Sequence, residues 1–104
     1  MAEQAGSMTL RLLTPAGTAA ETACESVVLP LRDGVDGTGG GLVGIRRGHA
    51  PAVMALGRGE IRALLDGEVV LRAGVESGFV SVRDNVITVL TDSAVLPKTK
   101  TEEE

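Results

Sequence analysis

The sequence predicts an all-β chain, a flattened antiparallel β-sandwich of about eight to ten short strands, and three observations carry that expectation. The interior must be filled almost without aromatics: Phe79 is the single aromatic residue among 104, while hydrophobic residues make up 43% of the chain. Val, Leu and Ile then have to pack the core, and branched side chains pack well on a pleated surface. Turn signals recur every eight to twelve residues, and no segment sustains a helical repeat.

Met1 to Ser7 is small and polar, so residues 1–7 are expected to form a flexible N-terminus. Met8 to Thr14 reads as the first strand, closed by Pro15-Ala16-Gly17, with Thr18 to Ala23 returning as a hairpin. A third strand, Glu25 to Leu31, contains Pro30, which places its end at an edge or bulge because proline cannot donate to a ladder. Arg32 to Gly41 holds five glycines with Asp33 and Asp36, a composition too costly in backbone entropy for regular structure, and reads as a flexible loop.

Gly44-Ile45-Arg46-Arg47-Gly48-His49-Ala50-Pro51 follows as a strand end turning through a tight corner, with Pro51 biasing Ala50 toward extended backbone. Ala52 to Leu56, Glu60 to Leu65 and Glu68 to Ala73 are read as a β-meander with turns at Gly57-Arg58-Gly59 and Asp66-Gly67. Val75 to Arg83 and Val86 to Leu90 form a pair around Asp84-Asn85, and Ser93 to Leu96 a short last strand. Arg11, Arg62 and Arg72 interrupt apolar neighbours, so those strands show one face to water. Residues 97–104 contain no large apolar side chain and read as a disordered polar tail, leaving 8–96 as one domain.

Net charge is −4, with one Phe and no Trp or Tyr. That composition supplies neither a cationic field nor stacking platforms, so nucleic acid is not an expected partner. Cys24 is alone and cannot form an internal disulfide, which fits a reducing compartment. No window approaches the ~18 apolar residues of a membrane span.

No catalytic, metal or cofactor site is evident. His49 is the single histidine and suits turn capping better than metal binding, which needs more ligands. Gly37-Thr38-Gly39-Gly40-Gly41 lacks the Lys-Ser or Lys-Thr and the helix of a phosphate loop. Cys24 reads as an inert small residue and Phe79 as core. Arg46 and Arg47 fit either a solvated corner or an anion contact.

From about Met8 to Leu96 the chain resembles the N-terminal β-sandwich of the epsilon subunit of F-type ATP synthases. The resemblance is co-linear: Leu13-Thr14-Pro15, Ser26 to Leu29, Gly44 to Pro51, Val53 to Leu56, and Ser77 to Val82 leading to Asn85-Val86-Ile87-Thr88-Val89-Leu90. It implies a non-catalytic central-stalk (rotor) subunit that joins the gamma subunit to the c-subunit ring during ion-driven ATP synthesis. The expected place is the cytoplasmic face of the inner (plasma) membrane, held there through the complex, without membrane insertion and without a cofactor.

Carried over residue by residue, the resemblance implies ring contacts at Arg32, Asp33, Asp36, Gly44, Ile45, Arg46, Arg47, Gly48 and His49. It implies gamma contacts at His49 and Pro51, and others on an exposed apolar face. Arg46-Arg47 replaces the family's apolar residue and proline, and guanidinium groups suit acidic groups on the ring or phosphates at its rim. The loop before this motif is longer and richer in glycine than usual. Family members continue into two helices that inhibit hydrolysis and in some cases bind ATP; nothing after Leu96 can form them, so a short form without that inhibition is expected.

Two alternatives stand beside this reading. One is a stand-alone sandwich adaptor, which gene neighbourhood would distinguish. The other is a small-molecule-binding β module such as a cupin-like barrel, which metal analysis would distinguish.

Overall fold

The computed structural model describes residues 7–32 and 41–96. The expected flexible start (Ser7 excepted), polar tail and most of the glycine-rich loop, including Asp33 and Asp36, lie outside the described residues. Within them the chain forms nine strands: β1 Met8–Thr14, β2 Gly17–Cys24, β3 Ser26–Pro30, β4 Leu42–Arg46, β5 Ala52–Leu56, β6 Gly59–Leu65, β7 Glu68–Val75, β8 Gly78–Arg83 and β9 Val86–Leu90. They build two facing sheets, a first in the order β2-β1-β9-β8-β5 and a second in the order β4-β3-β6-β7.

Alternation of side chains along each strand decides what enters the space between the sheets. Leu10 and Leu12 of β1, Val27 and Leu29 of β3, Ile61 and Ala63 of β6, Val80 and Val82 of β8, and Ile87 and Val89 of β9 all point inward and are fully or almost fully buried. Arg11, Arg62 and Arg72 lie on the outer faces, as their interruption of apolar neighbours predicts. Cys24 is buried in the same cluster, and its burial pushes the thiol pKa above the ordinary range.

Two of the four hairpins turn on residues with left-handed backbone. Asp66 and Gly67 have φ of 55° and 79°, and Asp84 and Asn85 have φ of 53° and 65°, the pattern of two-residue hairpins whose twist matches the strands. The β1–β2 and β6–β7 ladders each contain one register shift, at Leu12/Leu13 and Ala63/Leu64.

Several sequence expectations are corrected. Ala52 to Ala73 is not a meander: β5 pairs with β8 in the first sheet, whereas β6 pairs with β7 and β3 in the second, so Gly57-Arg58 is a crossing between sheets. Val75 and Arg83 do not share a strand, because Glu76-Ser77 is a second crossing from β7 to β8. The ladders are antiparallel except one: β1 lies parallel to β9, with Thr9 to Leu13 beside Val86 to Leu90.

Pro30 sits on an interior strand yet wastes no donor, since the β3–β6 ladder covers only Ser26 to Val28 and has ended before the proline. The last strand expected at Ser93 to Leu96 is reduced to one bridge. There Val95 and Gly74 exchange both backbone hydrogen bonds, at 2.8 and 2.9 Å, on the free edge of β7.

Candidate functional site

The crossings and hairpins gather at two ends of the sandwich. One end holds the Arg47–Ala50 corner, the Asp84-Asn85 turn, Glu25 and the Asp66-Gly67 turn. The other holds Pro15-Ala16, Arg32, Gly57-Arg58, Glu76-Ser77 and Thr91. This division separates the residues expected to act together. Pro30 pairs with Leu42 and Ser26 with Arg46, so Arg32 lies at one end of β4 and Arg46 to His49 at the other, roughly 13 Å of extended strand apart.

At the Arg46 end a hydrogen bond of 3.1 Å from the His49 N–H to the Arg46 carbonyl closes a tight turn. Gly48 has φ of 86°, the positive value a type II turn needs at its third residue. The His49 ring lies half-buried with Nδ1 2.7 Å from the Ala50 carbonyl, so Nδ1 carries the proton of that bond. The His49 side chain thus holds the backbone of the residue that follows the turn, while its main-chain N–H closes the turn itself. Arg46, Arg47 and Pro51 are exposed, whereas the Ile45 side chain is buried in the core and can offer a partner only its backbone.

Gly44 points outward opposite Val28, and a side chain added there would meet open space. With Ser26 and Arg46 it leaves a shallow hollow on the second sheet's outer face. At the other end of β4 the Arg32 N–H donates to the Ala55 carbonyl at 3.1 Å, which ties its backbone to β5.

An apolar surface not picked out by name in the sequence lies on the outer face of the first sheet. Register places Ala55 beside Phe79, Phe79 beside Leu90, and Leu90 beside Leu13, one row across four strands. Phe79 is 54% exposed and Leu90 52%, so Phe79 is not a core residue as expected. Val53, 74% exposed, extends the patch along β5. Period-two alternation contained the signal: Val80 and Val82 face inward, so Phe79 must share its face with Ser81 and Arg83. Arg32 borders a shallow depression at the end of this row, beside Phe79 and Leu90.

The second sheet's outer face carries a small cluster of paired charges. Arg62 and Arg72 are direct cross-strand partners, and Glu60 bonds both, at 3.1 and 2.9 Å. Among the described residues no group of three or more His, Cys, Asp or Glu is placed to hold a metal ion, and no helix is long and apolar enough to cross a membrane.

These features coincide with one family. The model of the ATP synthase delta/epsilon chain β-sandwich domain matches residues 7–97. The ATP synthase epsilon chain of Desulfitobacterium hafniense (strain DSM 10664 / DCB-2) is 38% identical over 90 residues, 86% of this chain and 62% of the relative. That of Symbiobacterium thermophilum is 41% identical over 90 residues, 86% of this chain and 59% of the relative. The chain thus spans only part of the length of these relatives.

Among solved structures, a chain of the Euglena gracilis mitochondrial ATP synthase OSCP/F1/c-ring assembly superposes with a TM-score of 0.72 at 19% identity, over 94% of this chain and 59% of that one. A chain of the Tetrahymena thermophila mitochondrial ATP synthase central stalk and c-ring gives 0.63 at 16% identity, over 85% of this chain and 65% of that one. These two share the sandwich fold. With a matching family model over nearly its whole length and relatives this similar, the chain belongs to the ATP synthase delta/epsilon-chain β-sandwich family.

Proposed function

We propose that this chain is a non-catalytic rotor subunit that joins the gamma subunit to the c-subunit ring of an F-type ATP synthase, at the cytoplasmic face of the membrane. The observation that carries the reading is the row Ala55–Phe79–Leu90–Leu13, apolar side chains that register sets side by side across four strands, with Phe79 and Leu90 about half-exposed. A contiguous apolar patch on a small soluble domain marks a partner surface, and we assign gamma to it.

The ring is assigned to Arg46 to His49 at one end and Arg32 at the other, and to Asp33 and Asp36, which lie outside the described residues. Torque passes between two partners only through a body that does not shear. Two sheets interlocked by a common aliphatic core supply that stiffness.

The test is association of this chain with the gamma subunit of the same organism, by size-exclusion chromatography and calorimetry. A one-to-one complex is expected, weakened by Phe79→Glu. No complex at about 50 μM, a concentration that would detect even a weak specific interface, would overturn the reading.

A further inference from the structure

The exposed corner Arg46–His49 is held by a residue distant in sequence. Its internal hydrogen bond, His49 N–H to Arg46 carbonyl, leaves the Gly48 N–H unused within the turn. That N–H donates instead to Asn85 Oδ1 at 2.8 Å. Because the facing group is a donor, the amide oxygen and not its nitrogen must stand there.

Asn85 is itself fixed from three sides. Its backbone occupies the left-handed region, φ 65°, in the turn between β8 and β9, which are paired through Arg83 and Val86. Its carbonyl accepts from the Thr9 N–H of β1 at 3.0 Å. The Asn85 side chain thus extends from a point anchored to three strands of the first sheet, and it grips the middle of a segment that crosses from the second sheet to the first.

Two demands meet at this position. The turn requires a residue that tolerates positive φ, and the corner requires a side-chain acceptor. Glycine meets only the first; Asn and Asp meet both.

We propose that Asn85 is a positioning residue for the Arg46–His49 corner, setting how Arg46, Arg47 and His49 are presented to the ring. The inference rests on the reading of that corner as a ring contact. Asn85 touches no partner; it acts through Gly48.

Asn85→Gly keeps the backbone permissive and removes the acceptor, whereas Asn85→Asp keeps both. Two readouts on the full 104-residue chain separate the possibilities: amide exchange at Gly48 by NMR, and affinity for the purified c ring of the same organism. Asn85→Gly is expected to speed Gly48 exchange by about tenfold or more and to weaken ring binding several-fold, while Asn85→Asp stays close to wild type in both. Unchanged Gly48 exchange in Asn85→Gly would overturn the clamp. Faster exchange with unaltered ring affinity would overturn the positioning role. Failure of the wild-type chain to bind the ring would overturn the assignment of the corner, and that role with it, while the exchange data would still report on the clamp.

Discussion

Phe79 and Leu90 face each other directly across the β8–β9 ladder with about half of each side chain in water. Pairs of this kind usually contribute little to folding, because neither partner leaves solvent completely. Phe79→Ser is therefore expected to change stability by less than about 1 kcal/mol, whereas Ile87→Ala, on the inward face of the neighbouring strand, costs about 2–5 kcal/mol. Urea unfolding of both variants checks this; equal losses would place Phe79 back in the core.

Gly78 opens β8 with φ of 148°, and a Cβ there would collide with the Leu90 carbonyl. The close approach allows the chain to enter β8 directly from the crossing. Gly78→Ala is expected to destabilise the fold by about 1–3 kcal/mol through backbone displacement, measurable as a lowered urea midpoint. A neutral outcome would mean that β9 can move aside freely.

Glu60 stands between two arginines that register sets opposite one another. Glu60→Gln leaves like charges facing across the ladder, so stability should fall by a few tenths to about 1 kcal/mol at low ionic strength. All three groups are partly exposed, and the loss should shrink by half or more in about 0.5 M salt. Thermal unfolding at the two salt concentrations checks it; a salt-independent loss would point to packing instead of charge.

Cys24 is wholly enclosed, and burial raises its thiol pKa. The folded state therefore holds the proton more tightly than the unfolded one. Its contribution to stability is complete below the ordinary thiol range, near pH 8.5, and is lost as pH rises through that range toward the folded value. Stability of wild type relative to Cys24→Ala should thus be flat up to about pH 8 and decline above it. The folded thiol should also react with a disulfide reagent at least about 100-fold more slowly than the unfolded chain.

How far the sequence led depended on whether the information was local. Asp66-Gly67 and Asp84-Asn85 are turns because of their own backbone preferences, and both turn where expected. Most of the strands were equally legible, since inward residues such as Leu10, Leu12, Val80 and Val82 alternate with outward ones, whereas Ser93 to Leu96 makes only one bridge. Partnership was not. Gly57-Arg58-Gly59 looks like a hairpin turn yet crosses between sheets, because whether two successive strands pair or part depends on what the rest of the chain offers each of them. Phe79 was assigned to the interior by residue type when its place in the alternation assigned it to the surface. Of the proposed ring residues, Arg32 and the Arg46–His49 corner are separated by the length of β4, a distance that the span of chain between them does not disclose. The clamp from Asn85 to Gly48 joins two motifs visible in the sequence, but their contact is a product of tertiary structure alone.

The parallel pairing of β1 with β9 has a consequence for the order in which this molecule can be made. A ribosome delivers β1 and its partner β2 first, and the strand that must lie against β1 last among the nine. Until Val86 to Leu90 emerge, the first sheet exists as two unjoined pieces, the β1–β2 hairpin and the β5–β8 pair, with the β1 edge open. Completion is therefore a late, long-range closure, which favours slow and cooperative folding after synthesis. It also leaves the nascent chain exposed to unwanted strand pairing for most of its elongation.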